Sequence, residues 1–179
     1  MEVFWFDIDV AGPITEIQVE ALGEVLSASD GIDATVQADH RGGSVMFSRS
    51  ACDAVHAIVS AVDDVEKAGM TVISVTEDLV DVDEIARRAR VTPAAVRYWV
   101  SGQRGAGGFP EPVMRRARAS LYSWSAVSSW LTRSGLGAVD DAAVATAEAC
   151  ALINAALTVR AGLRDLPEGT RPLVTRLVA

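Results

Sequence analysis

The chain has 179 residues, half of them hydrophobic, and a net charge of −8. That length accommodates one large domain or two small ones. No uncharged run approaches the ~20 residues that cross a bilayer, and no basic-then-apolar leader opens the chain, so a cytoplasmic protein without membrane contact is expected.

Residues 3–10 alternate, with Phe4, Phe6, Ile8 and Val10 on one side and Asp7 and Asp9 on the other, the pattern of a half-buried strand. Gly12-Pro13 breaks it. Ile14, Ile17, Ala21, Leu22, Val25 and Leu26 then recur at helical spacing until Ser29-Asp30-Gly31. Ile32 to Ala38 alternate again, the loop Asp39 to Gly43 turns the chain, and Val45 and Phe47 mark a third strand. Ser50 is placed to cap a second helix, with Asp53 three residues on, and Ala51, Ala54, Val55, Ile58, Val59, Val62 and Val65 supply its apolar face. Gly69 stops that helix and Met70 to Val75 read as a fourth strand. The order predicts a ferredoxin-like βαββαβ domain over residues 1–77, with both helices on one face of an antiparallel sheet. The other face would carry Trp5, Asp7 and Asp9. It is either a surface for a protein partner, a small ligand or a second copy, or a plain solvated face.

Residues 77–81 form a short bridge into a second unit, residues 78–133. Two short helices with a tight turn are expected between Asp83 and Ser101. Ile85, Ala86 and Ala89 share one face of the first, and Val96, Trp99 and Val100 one face of the second. Thr92 suits an N-cap and Pro93 the first helical position, while Val91 plugs the angle. Arg87, Arg88, Arg90 and Arg97 are left pointing outward. This is the pattern of a helix-turn-helix, whose second helix can enter a DNA major groove. The segment from Ser101 to Pro112 holds too much glycine and proline for a helix, and it lacks the Gly-Lys-Ser/Thr ending of a phosphate-cradling loop. It reads as a loop entering a β-wing, with Arg115, Arg116 and Arg118 on the wing and Leu121-Tyr122 on its return strand. Ser123 then caps a helix from Trp124 to Leu131, and Trp99, Trp124 and Trp130 are expected in the core.

Residues 134–179 form a C-terminal helical segment for packing or dimerisation. Asp140-Asp141 suits a helix start, and residues 142–163 make a long Ala-rich helix with Val144, Ala147, Ala151, Leu152, Ala155 and Val159 on a broad apolar band, widened by Cys150, Ile153 and Leu157. Leu166-Pro167-Glu168-Gly169 ends it, and a last short helix starts near Arg171.

The charge is bipolar. Residues 1–81 hold 16 acidic and 3 basic side chains (−13), residues 82–133 hold 9 arginines and 3 acids (+6), and the remainder is close to neutral at −1. Such asymmetry points to nucleic-acid contact by one part only. Cys52 and Cys150 read as buried free thiols in a reducing compartment, although a disulfide is compatible with the sequence. His40 and His56 show no Cys/His cluster of zinc-site spacing, and no Ser/His/Asp or Cys/His set is spaced for catalysis, so neither metal, cofactor nor enzymatic activity is expected. Asp7/Asp9 and Asp63/Asp64 read as solvated faces.

From Val91 to Trp99 the sequence Val-Thr-Pro-Ala-Ala-Val-Arg-Tyr-Trp resembles the first helix pair of MerR-type regulators. From Gly107 to Val113, and again at Leu121 to Ser125 and Val127 to Leu131, it resembles the loop, wing and closing helix of excisionase-like winged helix-turn-helix proteins. Residues 3–131 together are similar to a group of actinobacterial proteins with a comparable N-terminal half. Their loop reads Arg-Gly-Pro-Gly-Gly-Phe-Pro, and Ala106 stands here where they have the first proline. The resemblance implies a recognition helix reading bases through Thr92, Ala94, Ala95, Arg97, Tyr98 and Ser101, with Arg104, Arg115, Arg116 and Arg118 gripping the duplex from loop and wing. Arginine suits this work because its planar fork chelates guanine or bridges phosphates. Ala94 and Ala95 offer little hydrogen bonding, which shifts direct readout onto Arg97, Gln103 and Arg104. Arg87 and Arg88 complete the expected DNA-contacting set.

The expectation is therefore an α+β chain: a ferredoxin-like domain, a winged helix-turn-helix and a C-terminal Ala-rich helix. It would bind duplex DNA sequence-specifically, in all expectation as a transcriptional regulator and as a homo-oligomer, since one module of this size buries only ~600–1,000 Å² on DNA. The alternative is a protein-interaction adaptor or antitoxin-like partner whose acidic domain holds another protein.

Overall fold

The structure, a computed structural model, describes residues 1–28, 33–38, 42–103, 105, 107–115, 119–137 and 140–178. The chain is α+β. Its first unit runs β1 (Glu2–Ala11), α1 (Glu16–Ser27), β2 (Ala34–Ala38), β3 (Gly42–Ala51), α2 (Ala54–Lys67) and β4 (Val72–Glu77). The four strands lie in the order β2-β3-β1-β4 and every neighbouring pair is antiparallel. The alternation in β1 sets the layering. Phe4, Phe6, Ile8 and Val10 are at most 3% exposed beneath the helices, and Phe6 stacks on Phe47 of β3 at 5.5 Å. The odd-numbered side chains of β1 face the other way.

α1 begins in a reciprocal capping box. The Thr15 hydroxyl accepts the Gln18 N–H, and the Gln18 side chain accepts the Thr15 N–H at 3.0 Å. Only Leu22 and Leu26 of this helix are fully buried, and Ile17, expected on the same face, is 77% exposed. At 3.6 residues per turn Ile17 lies about 140° around the helix from Leu22. The expected helix end at Ser29-Asp30-Gly31, the start of the next strand at Ile32 and the loop at Asp39 to Arg41 lie outside the described residues. α2 corrects three expectations. Its cap is Asp53, whose carboxylate accepts the His56 N–H at 2.8 Å, while Ser50 belongs to β3. Val55 and Val59 point outward because they fall about 70–110° from the centre of the buried stripe formed by Ile58, Ala61, Val62 and Val65. Cys52, in the turn just before the cap, is exposed rather than buried.

The second unit runs β5 (Leu79–Val80), α3 (Val82–Arg88), α4 (Pro93–Val100), β6 (Met114–Arg115), β7 (Ser120–Ser123) and α5 (Trp124–Arg133). β5 lies within the expected bridge and makes a three-stranded sheet, β5-β7-β6. α3 ends in a Schellman turn: the Val91 N–H reaches the Ala86 carbonyl at 2.9 Å and the Arg90 N–H reaches that of Arg87 at 3.3 Å. Arg90 therefore sits in the left-handed region, at φ 55°, where glycine is the usual occupant. Thr92 caps α4 and Pro93 is its first residue. Val80, Ile85, Val96, Tyr122, Val127 and Leu131 form a core with the three tryptophans. Trp130 is its hub, 5.3 Å from Trp99 and 5.0 Å edge-on to Phe109, and its indole N–H donates to the Gly107 carbonyl at 2.8 Å. A Cβ at Gly105 would meet the Trp99 ring at 3.1 Å, and its φ of 102° is one that favours glycine.

α6 (Asp141–Asp165) joins the two units, and α7 (Arg171–Val178) follows it. The buried stripe of α6 is Thr146, Ala149, Cys150, Ile153 and Leu157, and the last four enter the core of the first unit. Ala151, Leu152 and Ala155, expected in that stripe, are exposed on the opposite side. α6 is long and apolar enough to cross a bilayer by composition, yet this stripe is packed against β1, β4 and α2. Asn154 holds the free edge of β4, accepting the Val75 N–H at 2.8 Å and donating to the Val75 carbonyl at 2.7 Å. Arg160 bridges to Glu66 of α2 at 2.5 Å.

Candidate nucleic-acid interface

α4 is held from inside. Val96 is fully buried and Trp99 is 9% exposed, so their positions fix which side of this short helix faces out. The outward side carries Thr92, Ala94, Arg97, Tyr98 and Ser101, and no carboxylate lies anywhere in α4. The Thr92 hydroxyl oxygen is engaged as the cap, accepting the Ala95 N–H at 3.3 Å, and the Ser101 hydroxyl donates to the Tyr98 carbonyl at 3.2 Å. Ala95 is half-buried against the core, so its methyl is turned partly away from the outer face. Arg97 is well exposed, and its nearest carboxylate, Asp83 of α3, stands 3.7 Å away. Gln103 is exposed just beyond the helix.

The arginines divide into two kinds. Arg88 is not an outward contact. Its guanidinium pairs with Asp78 and, at 2.6 Å, with Glu84, and it stacks 4.9 Å above the Trp124 ring. Burial works against its charge, but these carboxylates outweigh that and hold the cation. Arg87 is exposed yet tied to Glu84 by two hydrogen bonds at 2.7 and 2.5 Å. With Arg87 and Arg88 both donating to it, Glu84 is held down at about 2. Arg115 on β6 is exposed beside Glu111 at 2.9 Å. Arg104, Arg116 and Arg118 lie outside the described residues. Arg90, expected to point outward and not among the expected contacts, is exposed in the turn before α4. The pairing of Arg88 was partly readable, since Glu84 stands four residues before it on the same helix face.

On the open sheet face, Trp5 is 60% exposed. Asp9 is satisfied by the hydroxyls of Ser74, at 2.8 Å, and Thr76, at 3.2 Å. Asp7 is pushed up to about 6, first by burial and then by the negative charge of Asp9 and Asp78. Two clefts flank Trp5. One, of about 410 Å³, reaches Asp7, Met46 and Asp78, and the other, of about 560 Å³, reaches Arg87, Arg88 and Trp124. The exposed Trp therefore stands where the two units meet. His56, at which the sequence suggests no Cys/His cluster, stands beside Cys52 and Asp53.

No protein-family model, curated protein or solved structure matches this chain.

Proposed function

We propose that the chain binds duplex DNA sequence-specifically, as a cytoplasmic transcriptional regulator, through a winged helix-turn-helix spanning residues 78–133. One observation carries this reading: α4 is anchored by Val96 and Trp99 on one side and presents Ala94, Arg97 and Tyr98, with no acid in the helix, on the other. That is what a helix entering the major groove requires. The Schellman turn at Arg90 and the β6-β7 hairpin carrying Arg115 support the same assignment, as does the resemblance to MerR-type and excisionase-like proteins. The strand order β2-β3-β1-β4 supports a ferredoxin-like reading of the first unit. With the −13 charge of residues 1–81, that unit would lie away from the phosphates. A homodimer would supply the contact area a single module lacks, with the exposed Leu152 side of α6 or the Trp5 face as its surface.

A mobility-shift assay on duplexes selected from a random pool tests this. Arg97→Ala should weaken binding at least about tenfold, the discrimination expected of one bidentate base contact. Replacing Arg115, Arg116 and Arg118 together by alanine should weaken binding to all sequences alike. Unchanged binding in both variants overturns the proposal. The exposed Trp5 between two clefts favours a second reading, an adaptor whose acidic unit holds another protein. A stoichiometric partner that Trp5→Ala releases, with no DNA shift, would favour that reading over the first.

A further inference from the structure

The turn from β3 into α2 gathers three metal-ligating groups of different chemistry. Cys52 precedes the helix, Asp53 caps it and His56 is its third residue. Their ligand atoms lie within 4.8 Å of one another and all three residues are exposed. The Asp53 carboxylate divides its two oxygens. Oδ1 accepts the His56 N–H at 2.8 Å, which fixes the group, and Oδ2 is left 2.8 Å from His56 Nδ1 and 3.7 Å from Cys52 Sγ. Helix capping thus aims a carboxylate oxygen between a thiol and an imidazole.

We propose that Cys52, Asp53 and His56 bind a divalent cation of the zinc class, with water completing the coordination. Zinc takes sulfur at about 2.3 Å and nitrogen or oxygen at about 2.0–2.2 Å, so a tetrahedral ion holds its S and O ligands about 3.6 Å apart and its N and O ligands about 3.4 Å apart. The sulfur–oxygen spacing meets this already. The nitrogen–oxygen pair has to open by about half an ångström, with the metal taking the place of the hydrogen bond between them. A mixed S, N and O set favours zinc, or cobalt as its substitute, over magnesium and calcium, which take oxygen ligands. Binding replaces the Cys52 thiol proton, which passes to solvent. A thiolate and a carboxylate then balance the metal's two charges, and the neutral imidazole ligates through Nδ1 with its remaining proton on Nε2. Cys150 does not compete: it is 4% exposed in the core and burial pushes its thiol up to about 12.

The full chain, reduced and metal-free, is titrated with zinc by calorimetry and with cobalt(II) by absorption. One equivalent should bind, and the cobalt form should show a thiolate-to-metal charge-transfer band. Cys52→Ser and His56→Ala should each weaken zinc at least about tenfold, Cys52→Ser should abolish the band, and Cys150→Ala should keep both binding and band. The site does not exist if the parent fails to bind, if binding survives Cys52→Ser or His56→Ala undiminished, or if the band is lost with Cys150→Ala.

Discussion

Arg88 and Arg97 are nine positions apart in one arginine-rich stretch, and their surroundings give them different work. Arg88 is enclosed by Asp78, Glu84 and the Trp124 ring, whereas Arg97 reaches into solvent with one loosely placed acid nearby. Arg88→Ala leaves two carboxylates short of their cation and removes a stacked plane, which should cost about 1–3 kcal/mol. Arg97→Ala should change stability by less than about 0.5 kcal/mol. Denaturant unfolding of the two variants checks the contrast, and equal losses would refute it. Asp7 gives a pH-dependent counterpart. Its carboxyl titrates at about 6 in the fold against an ordinary 3.8, so the folded state holds this proton more tightly than the unfolded chain does. The stabilisation from protonating Asp7 is complete below about pH 4 and is lost as pH rises through about 6. Asp7→Asn removes the penalty that remains above that window. It should stabilise the fold by about 1–2 kcal/mol at pH 8, allowing for solvent screening of a half-buried group, and by nothing near pH 3.5. Equilibrium unfolding at the two pH values measures this, and a gain of the same size at both would contradict the assignment.

At the scale of elements, α6 does more than cover apolar surface. Asn154 completes the outer edge of β4 with a donor and an acceptor, a device that protects an edge strand from pairing with another chain. Asn154→Ala should cost about 1–3 kcal/mol and increase self-association, read by urea unfolding and sedimentation, because the Val75 N–H and carbonyl lose their partner. A variant as stable and as dispersed as the parent would show that the pairing is incidental. This link joins residues 79 positions apart, and nothing local in the sequence announces it. What was legible was local. The alternation of Phe4, Phe6, Ile8 and Val10 sets β1, and Thr92-Pro93 and Ser123 mark the starts of α4 and α5. What was not legible depended on rotation or distance. α6 is apolar nearly all round, so the sequence does not settle which third of its circumference is buried, and the band expected at Ala151, Leu152 and Ala155 proved to be the outer one. β5 has two residues and exists through pairing with β7, more than forty positions away. In the candidate interface, the enclosure of Arg88 depends on its partner Asp78 and its platform Trp124, which come from other elements, while the exposure of Arg97 follows from helical spacing alone.

For the whole molecule, the two cores are tied by α6 and by the Ser123 hydroxyl donating to Glu77 at 2.6 Å. An acidic sheet unit is thus fastened to an arginine-rich one, and the separation of charge is built into one packed body. Binding through the arginine-rich side should release counterions from the duplex, while the acidic side lends no affinity and disfavours any approach from its own direction. A selected duplex titrated with the parent chain across a range of salt concentrations tests this most directly. Affinity should fall steeply with salt, with a log–log slope that loses about 0.9 for each phosphate-contacting arginine removed by Arg115, Arg116 and Arg118 substitution. No binding at low salt, or an affinity and slope unchanged in that triple variant, would contradict it.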